Sequence, residues 1–251
     1  MVKLLNQEAQ PGIAQAIPMM IIKASSRGET KTEWLDSKHS FSFAEYYNPD
    51  KMGYRSLRVV NEDRVSPSRG FPNHPHSDME ILTYVISGKL AHKDSMGNGS
   101  VIEPGDFQLM TAGEGIIHSE FNASEDDECH FYQIWIKPQA KDLKPGYQQR
   151  STKTPAIKSN SLTPIVTPAG GDDTMSINQN AEVTLGVYEK DEAVVFPQNQ
   201  DYPYGFLQIL EGKVKLAEHL LEAGDGVGFE FAKVERITAI EDCRLLLFYL
   251  T

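Results

Sequence analysis

The sequence is poor in cysteine, which narrows the classes of protein to which it can belong. Its two cysteines, Cys129 and Cys243, lie far apart in 251 residues and do not suggest a disulfide framework. No apolar run approaches the length of a membrane span, and the first residues lack the apolar core of a signal peptide. We therefore expect a cytoplasmic protein that is not exported and has no membrane partner.

Positive charge is also scarce and evenly spread. The chain has 24 lysines and arginines against 35 aspartates and glutamates, a net charge of −11, and no dense basic block. A surface that binds nucleic acid needs clustered positive charge to meet the phosphate backbone. We therefore expect no direct nucleic-acid binding.

The sequence does contain two pairs of potential metal ligands, His74 with His76 and His118 with Glu120. Side chains of a β-strand alternate between its faces with period two, so each pair would lie on one face of its strand. Between the pairs, the β-branched and aromatic run 81–86 predicts a short strand that ends in a hairpin signal. Two neighbouring strands would then aim four ligands at one point.

This ligand set points to a reactive metal rather than a structural one. Imidazoles with a carboxylate suit Fe, Cu, Ni, Mn or Zn, and no thiolate is offered for a closed structural zinc site. Glu80 shares the parity of His74 and His76 and is a rival carboxylate. Ordinary structural histidines are the alternative, but four potential ligands in two strand-spaced pairs favour a metal site.

Three further polar residues belong near this pattern. Gln133 lies in an apolar strand on the face of Trp135, where a buried amide needs a partner, so it is a candidate for the pocket wall or for orienting a ligand. Plain strand pairing is the alternative. His92 and His130 are not strand-paired with another ligand, so we leave both off the metal, although either could line the approach to it.

The organisation of the chain is all-β with two similar halves. Short strands and Gly-rich turns predict a hairpin-rich barrel in the first half, and the proline-rich stretch 137–171 is typical of a linker. A weak repeat then echoes the first hairpin, with Gly212 and Gly224-Asp225 in place of Gly88 and Gly105-Asp106. We therefore expect an extension at residues 1–20, one domain at 21–145 and a second at 146–251.

The second domain lacks the ligand pattern. Counting along the repeat, the positions equivalent to the four ligands hold Gln198, Gln200, Ile237 and Ala239. Amide and apolar side chains do not replace imidazole and carboxylate for these ions. We expect the second domain to bind no metal and to contribute stability or a lid.

At this point the residues resemble a known family. The patterns G-x3-H-x-H-x3-E-x7-G from Gly70 and G-x2-H-S-E-x-N from Gly115 are similar to the two cupin motifs in the form used by pirins and pirin-like quercetin 2,3-dioxygenases. The resemblance runs from about residue 21 to the C-terminus and is strong to about residue 150. It includes the stretches 34–37, 39–44, 46–49, 82–85, 92–98, 104–106, 110–113 and 132–135.

The resemblance implies a fold of two jelly-roll cupin barrels, with the metal in the N-terminal one. It assigns His74, His76, His118 and Glu120 as ligands, with Glu120 rather than Glu80 as the carboxylate, and Glu120 could also leave the metal and act as a base. Glu80 and Gln133 are then residues of the pocket or its surroundings. One divalent ion is expected, Fe²⁺ first, with Cu²⁺, Ni²⁺, Mn²⁺ or Zn²⁺ as alternatives.

The activity implied by the resemblance is cleavage of a flavonol such as quercetin with O₂, which releases carbon monoxide and a depside. A second hypothesis is a metal-tuned regulatory or redox-sensing binding protein, and a third is a metal-dependent isomerase or sugar-binding cupin. Fold alone does not decide among them, because cupins serve many functions. The partners expected are a small aromatic substrate and O₂, and we expect a monomer.

Overall fold

The computed structural model describes residues 19–153, 156–197 and 200–251. The described ranges contain 22 strands and two 3-10 helices, Ala24–Ser26 and Phe231–Lys233, so the predicted all-β class is confirmed. None of these helices has the length and apolar character needed to cross a bilayer. The expected extension at 1–20 lies almost wholly outside the described residues, as does Gln198.

The strands of the first half alternate with short turns. In chain order they are β1 Met20–Ile22, β2 Gly28–Lys31, β3 Leu35–His39, β4 Leu57–Val65, β5 Gly70–His76, β6 Glu80–Ser87, β7 Leu90–Asp94, β8 Gly99–Ile102, β9 Asp106–Thr111, β10 Ile116–Asn122, β11 Cys129–Ile136 and β12 Gly146–Ser151. Seven of them form one sheet in the order β12-β9-β6-β11-β4-β3-β2, and β5-β10-β7-β8 form a second. Apolar side chains from both sheets meet in one cluster, which includes Leu90 and Phe131, so the two sheets face each other as a barrel.

The second half repeats this arrangement. Its strands are β13 Ser161–Thr167, β14 Met175–Ser176, β15 Glu182–Tyr188, β16 Ala193–Val195, β17 Tyr204–Glu211, β18 Lys213–Leu216, β19 His219–Glu222, β20 Gly226–Glu230, β21 Arg236–Ala239 and β22 Cys243–Leu250. One sheet has the order β1-β20-β17-β22-β15-β13-β14 and the other β16-β21-β18-β19. An almost wholly apolar cluster fills the space between them. The chain therefore folds into two barrels, as the repeat predicts.

Two strands join sheets that the expected boundaries do not assign them to. Strand β1, at the start of the first barrel (the first lobe), pairs with β20 of the second barrel (the second lobe), and β12, on the far side of the expected 145/146 boundary, pairs with β9 of the first. Each of these strands covers the open edge of a neighbour and satisfies its free N–H and C=O groups. Proline-rich composition marks where a linker runs but not which sheet edge the following strand joins.

A shared apolar core joins the lobes. The outer faces of the two seven-stranded sheets meet in a cluster that holds Tyr84 and Tyr132 from the first lobe and Phe248 from the second. Phe206 lies in this cluster, with its ring centroid 5.6 Å from that of Phe41. Because the cluster draws side chains from both lobes, the lobes stabilise one another.

The shared core predicts that the lobes unfold together. Phe206→Ala removes a fully buried aromatic side chain, which costs about 3–5 kcal/mol, so we expect the unfolding of both lobes to shift. Trp34 and Trp135, the two tryptophans of the chain, report on the first lobe by fluorescence, while circular dichroism reports on both. Leu220→Ala, at a side chain 53% exposed, is the control and should stay within about 0.5 kcal/mol of the parent. A tryptophan transition unmoved by Phe206→Ala would contradict the coupling.

Candidate metal centre

Three of the predicted ligands converge because β5 and β10 are antiparallel neighbours. His118 lies directly opposite His74 in the register of the two strands, and His76 is two residues further along. The ring centroids of His74 and His118 are 4.4 Å apart, and those of His76 and His118 are 4.9 Å apart. One nitrogen from each of the three rings lies within 4.8 Å of the other two, close enough to share one ion.

The alternation of β10 explains why its ligands point inward. Ile117 and Phe121 are exposed on the outer face, while His118 and Glu120 are about 1% exposed on the inner face. A strand usually buries its apolar residues and exposes its polar ones. The reversal in β10 is the local mark of a site inside the barrel.

Glu120 lies next to His118 but not within one group with all three histidines. The register shifts between His118 and Glu120, so that Glu120 pairs with Phe71 of β5. Its carboxylate belongs to a second group in which Glu120, His118 and His92 lie within 4.8 Å of one another. The two groups share His118, and the four predicted ligands do not form a single group at that distance.

His92, which the sequence pattern leaves off the metal, is a neighbour of the site. It lies opposite Glu120 in the pairing of β7 with β10, and its ring centroid is 5.3 Å from that of His118. Its Nε2 is 3.3 Å from Oδ2 of Asp94. By contrast, His130 lies apart from both groups, with its Nε2 2.9 Å from Oε1 of Glu62. The two-residue spacing of His92 and Asp94 was the available signal in the sequence. The strand that pairs with β7 cannot be read from the sequence alone.

His118 and His76 are held neutral, which is the form that binds metal. Burial lowers the pKa of His118 to about 2, helped by the nearby His74, His76 and His92, and neither ring nitrogen of His118 has a hydrogen-bond partner. Burial and the neighbouring His74 lower the pKa of His76 to about 4. His74 donates from Nδ1 to the carbonyl oxygen of Pro72 at 2.8 Å, which leaves its Nε2 lone pair free.

Glu120 is a buried carboxylate with one oxygen committed and one free. Gln133 donates from Nε2 to Oε2 of Glu120 at 2.7 Å, and Trp135 donates from Nε1 to Oε1 of Gln133 at 3.1 Å. Burial raises the pKa of Glu120 to about 7, against the effect of the Gln133 hydrogen bond, and the charge of Asp63 raises it further. Oε1 of Glu120 has no partner within the described ranges. Gln133 therefore orients the Glu120 carboxylate through this hydrogen bond.

Glu80, the rival carboxylate, is placed elsewhere. It begins β6 on the face that carries Tyr84, which belongs to the core between the lobes. Its oxygens accept hydrogen bonds from Thr111 at 2.8 Å and from Asn178 of the second lobe at 3.0 Å. Glu80 belongs to neither ligand group. The shared parity with His74 and His76 fails as a guide because the turn at 77–79 carries the chain to another sheet.

A cavity of about 400 Å³ opens beside the histidines. His74, His76 and Glu120 form part of its wall, whereas His118 and His92 lie behind it. The apolar part of the remaining wall is formed by Leu35, Phe43, Ala44, Phe71, Pro72 and Trp135. A volume in this range suits a small organic ligand.

The cavity also has a polar wall that the sequence pattern did not reveal as part of the site. It is formed by Thr30, Ser37, His39, Asn61 and Asp63. Asn61 and Asp63 are two apart in strand β4 and are buried among apolar residues of that strand, and this spacing was the available signal. Burial raises the pKa of Asp63 to about 7, opposed by its hydrogen bond from Ser37 and reinforced by the charge of Glu62.

These residues fit a divalent transition metal. Neutral imidazoles and a carboxylate are the donors that such ions prefer, and the unpartnered nitrogens of His118 and the free oxygen of Glu120 are costly to bury without a ligand. In the second lobe, Ile237 and Ala239 at the equivalent positions are part of the apolar core.

Comparison with known proteins adds an independent line of evidence. Residues 22–136 match the family model described as Pirin, and residues 164–250 match the Quercetinase C-terminal cupin domain, so the two barrels are cupin domains. The chain is 39% identical over 226 residues to a quercetin 2,3-dioxygenase of Escherichia coli strain K12, which covers 90% of this chain and 96% of that protein.

Two solved structures are similar along most of the chain. The crystal structure of YhhW from Escherichia coli has a TM-score of 0.88 and 37% identity, covering 93% of this chain and 98% of that one. The structure of the bacterial pirin YhhW in complex with nickel(II), also from Escherichia coli, has a TM-score of 0.87 and 37% identity, covering 93% and 99%.

The raised pKa of Glu120 predicts a pH dependence of the metal-free protein. A carboxylate that titrates at 4.5 when unfolded and near 7 when folded holds its proton more tightly in the folded state. Its ionisation therefore destabilises the fold as pH rises from 4.5 through 7, by about 3 kcal/mol in total. Relative to Glu120→Gln, the parent should lose about this much free energy of unfolding across that window.

The measurement is denaturant unfolding of both metal-free proteins at a series of pH values. The other ionisable groups are present in both proteins, so the difference between the two curves reports Glu120 together with its coupling to Asp63. A difference that stays constant from pH 4 to 8 would mean that Glu120 ionises normally.

Proposed function

The chain belongs to the pirin family, and from that premise we propose that it is a metal-dependent dioxygenase that cleaves a flavonol such as quercetin. The observation that carries this proposal is the opening of the histidine group onto a largely apolar cavity of about 400 Å³. The same residues without a cavity beside them could hold an ion, but an aromatic substrate could not reach that ion. The quercetin 2,3-dioxygenase relative supports the choice of substrate class.

In this proposal one ion is held by His74, His76, His118 and Glu120. Both groups of potential ligands contain His118, but His74, His76 and Glu120 line the cavity whereas His92 does not. An ion that meets a substrate must be reached from the cavity, so the proposal assigns it to that side. In this assignment, His92 lies beside His118 and Glu120 but does not line the cavity.

The chemistry of the donors leaves several metals open. Imidazole with carboxylate accepts most late first-row divalent ions, and availability often selects among them. Fe²⁺ is the first choice for a reaction with O₂, and Cu²⁺, Ni²⁺, Mn²⁺ and Zn²⁺ are alternatives. The nickel(II) complex of the related bacterial pirin supports a divalent ion as the cofactor.

The residues of the chain would divide the work of catalysis among them. A bound divalent ion would supply Lewis acidity toward the 3-hydroxyl oxygen of the flavonol. Glu120 would leave the ion and take the proton of that hydroxyl at Oε1, the oxygen that lacks a partner within the protein, while Gln133 holds Oε2 in place. The apolar walls keep water from the reacting ring.

The overall reaction balances without a further reductant. Flavonol and O₂ give a depside and carbon monoxide, and both atoms of O₂ enter the depside. The flavonol supplies the electrons that reduce O₂, so no electron-transfer partner is required.

The alternative is a regulatory or redox-sensing binding protein built on the same metal centre. Sensing through thiols has little support, because burial raises the pKa of Cys129 to about 12 and that of Cys243 to about 11. Thiols with raised pKa values form little reactive thiolate. A sensor would therefore have to work through the metal. Turnover of a flavonol in air separates this function from the enzyme, and substrate screening without oxygen tests an isomerase.

The ligand assignment predicts one ion per chain. Elemental analysis of the purified parent should give about one divalent ion, and His74→Ala should lose most of it because a ligand is removed outright. His219→Ala, at a histidine on β19 of the second lobe, is the matched control and should keep the ion. About two ions per chain, both removed by a chelator, would show a second site in the C-terminal lobe.

Glu120→Gln and His74→Ala should fail in different ways. The amide introduced by Glu120→Gln keeps the size of the side chain and a weak oxygen donor, so part of the metal should remain. It lacks the basicity of a carboxylate and cannot take the proton. Turnover of quercetin should fall by about 10²-fold or more, the usual contribution of a positioned base. His74→Ala should lose metal and turnover together. A Glu120→Gln protein that binds metal and oxidises flavonol near the parent rate would remove Glu120 from the role of base.

A further inference from the structure

A continuous polar row crosses the inner face of the seven-stranded sheet opposite the metal-bearing strands. Asn61 of β4 lies between His39 of β3 and Gln133 of β11 in the strand register. One step along, Ser37 lies opposite Asp63. Directly opposite residues on one sheet face have their Cβ atoms about 5 Å apart. The row therefore connects Gln133, which holds Glu120, to the far wall of the cavity.

Hydrogen bonds hold this row rigid. His39 lies with Nδ1 2.9 Å from Oδ1 of Asn61 and Nε2 2.9 Å from Oγ1 of Thr30. Since the amide oxygen can only accept, Nδ1 carries the proton and the hydroxyl of Thr30 donates to Nε2. Ser37 donates to one oxygen of Asp63. Each member is positioned by a partner on a neighbouring strand.

Asp63 is the one carboxyl group of the polar wall, and its charge is not balanced by a basic side chain of the described residues. It is about 4% exposed, and the hydrogen bond from Ser37 is the stabilising contact found for it. No lysine or arginine of the described ranges forms an ion pair with it. A carboxylate buried with so little support is costly. In the cavity wall, it is an acceptor suited to a donor carried by a ligand.

We propose that Asp63 is a specificity-determining residue, which accepts a hydrogen bond from a ring hydroxyl of the flavonol remote from the hydroxyl at the metal. The proposal rests on the proposed function for the class of substrate. His74 and His76 lie on one sheet and Asp63 on the sheet that faces it, so a flat ligand in the cavity can meet both. Such a cavity selects flavonols that carry hydroxyls beyond the 3-position over 3-hydroxyflavone.

The test compares two ligands and two variants. Quercetin carries ring hydroxyls that 3-hydroxyflavone lacks, while both carry the hydroxyl expected at the metal. Asp63→Asn keeps the size and an oxygen for Ser37 but removes the charge. It should lower kcat/KM and affinity for quercetin by about ten-fold or more, since a hydrogen bond to a charged group is lost. The affinity for 3-hydroxyflavone should change less than about two-fold, because this ligand has no hydroxyl to make the bond with Asp63.

The matched control is Asp36→Asn. Asp36 lies on β3 beside Ser37 but faces outward, paired with Lys31 and Lys38. It should leave the preference between the two ligands unchanged. If Asp63→Asn weakens both flavonols equally, the residue is structural and the proposal is overturned. A parent protein that binds 3-hydroxyflavone as well as quercetin overturns it too, and this comparison needs no variant if Asp63→Asn fails to fold.

Binding measured under nitrogen separates this proposal from the proposed function. Trp135 lines the cavity, so quenching of its fluorescence reports occupancy without turnover. A protein that never consumes oxygen, yet binds quercetin with a preference that Asp63→Asn abolishes, would remove the dioxygenase and keep the subsite. Turnover of both flavonols with no effect of Asp63→Asn on their ratio would keep the dioxygenase and remove the subsite.

Discussion

The structure of the first lobe depends on burying potential metal ligands in the interior of a barrel. His118 has no hydrogen-bond partner for either ring nitrogen, and Glu120 has none for one oxygen. Burial holds the imidazole neutral and favours the protonated carboxyl, so the interior avoids isolated charges at the cost of unpaired polar atoms. A metal ion coordinated by these atoms would offset part of the free-energy cost of burying them. Metal binding would then stabilise the fold.

The division between the lobes follows from this constraint. The interior of the first lobe holds the histidines, the cavity and its polar wall, which leaves room for only small apolar clusters around them. The second lobe fills the same space with an apolar core. Between them lies a shared core that includes Tyr84 and Phe206, and strand β1 pairs with the second lobe. The second lobe can therefore support a first lobe whose interior holds a cavity and polar side chains.

Local spacing was enough to predict much of this architecture. Period-two pairing placed His74 with His76 and His118 with Glu120 on inward faces, and the Gly212 repeat predicted a second barrel. Features set by pairing between distant strands were not accessible in the same way. His92 meets Glu120 only through the register of β7 with β10, and Asp63 reaches the cavity only because β3, β4 and β11 lie side by side. Glu80 shows the opposite error. Its even-numbered spacing from His74 and His76 predicts that it lies on the same face, but the turn between β5 and β6 carries it to another sheet.

The central claim is that the buried ligand group and its cavity serve oxygen chemistry on a flavonol. Turnover of quercetin by the metal-loaded protein under ¹⁸O₂, with analysis of both product and headspace gas, tests it most directly. The account predicts a depside that carries both labelled oxygen atoms, with one carbon monoxide released for each flavonol consumed. Quercetin that remains intact, with no oxygen consumed while the metal stays bound, would contradict it and leave a metal-binding protein without this activity.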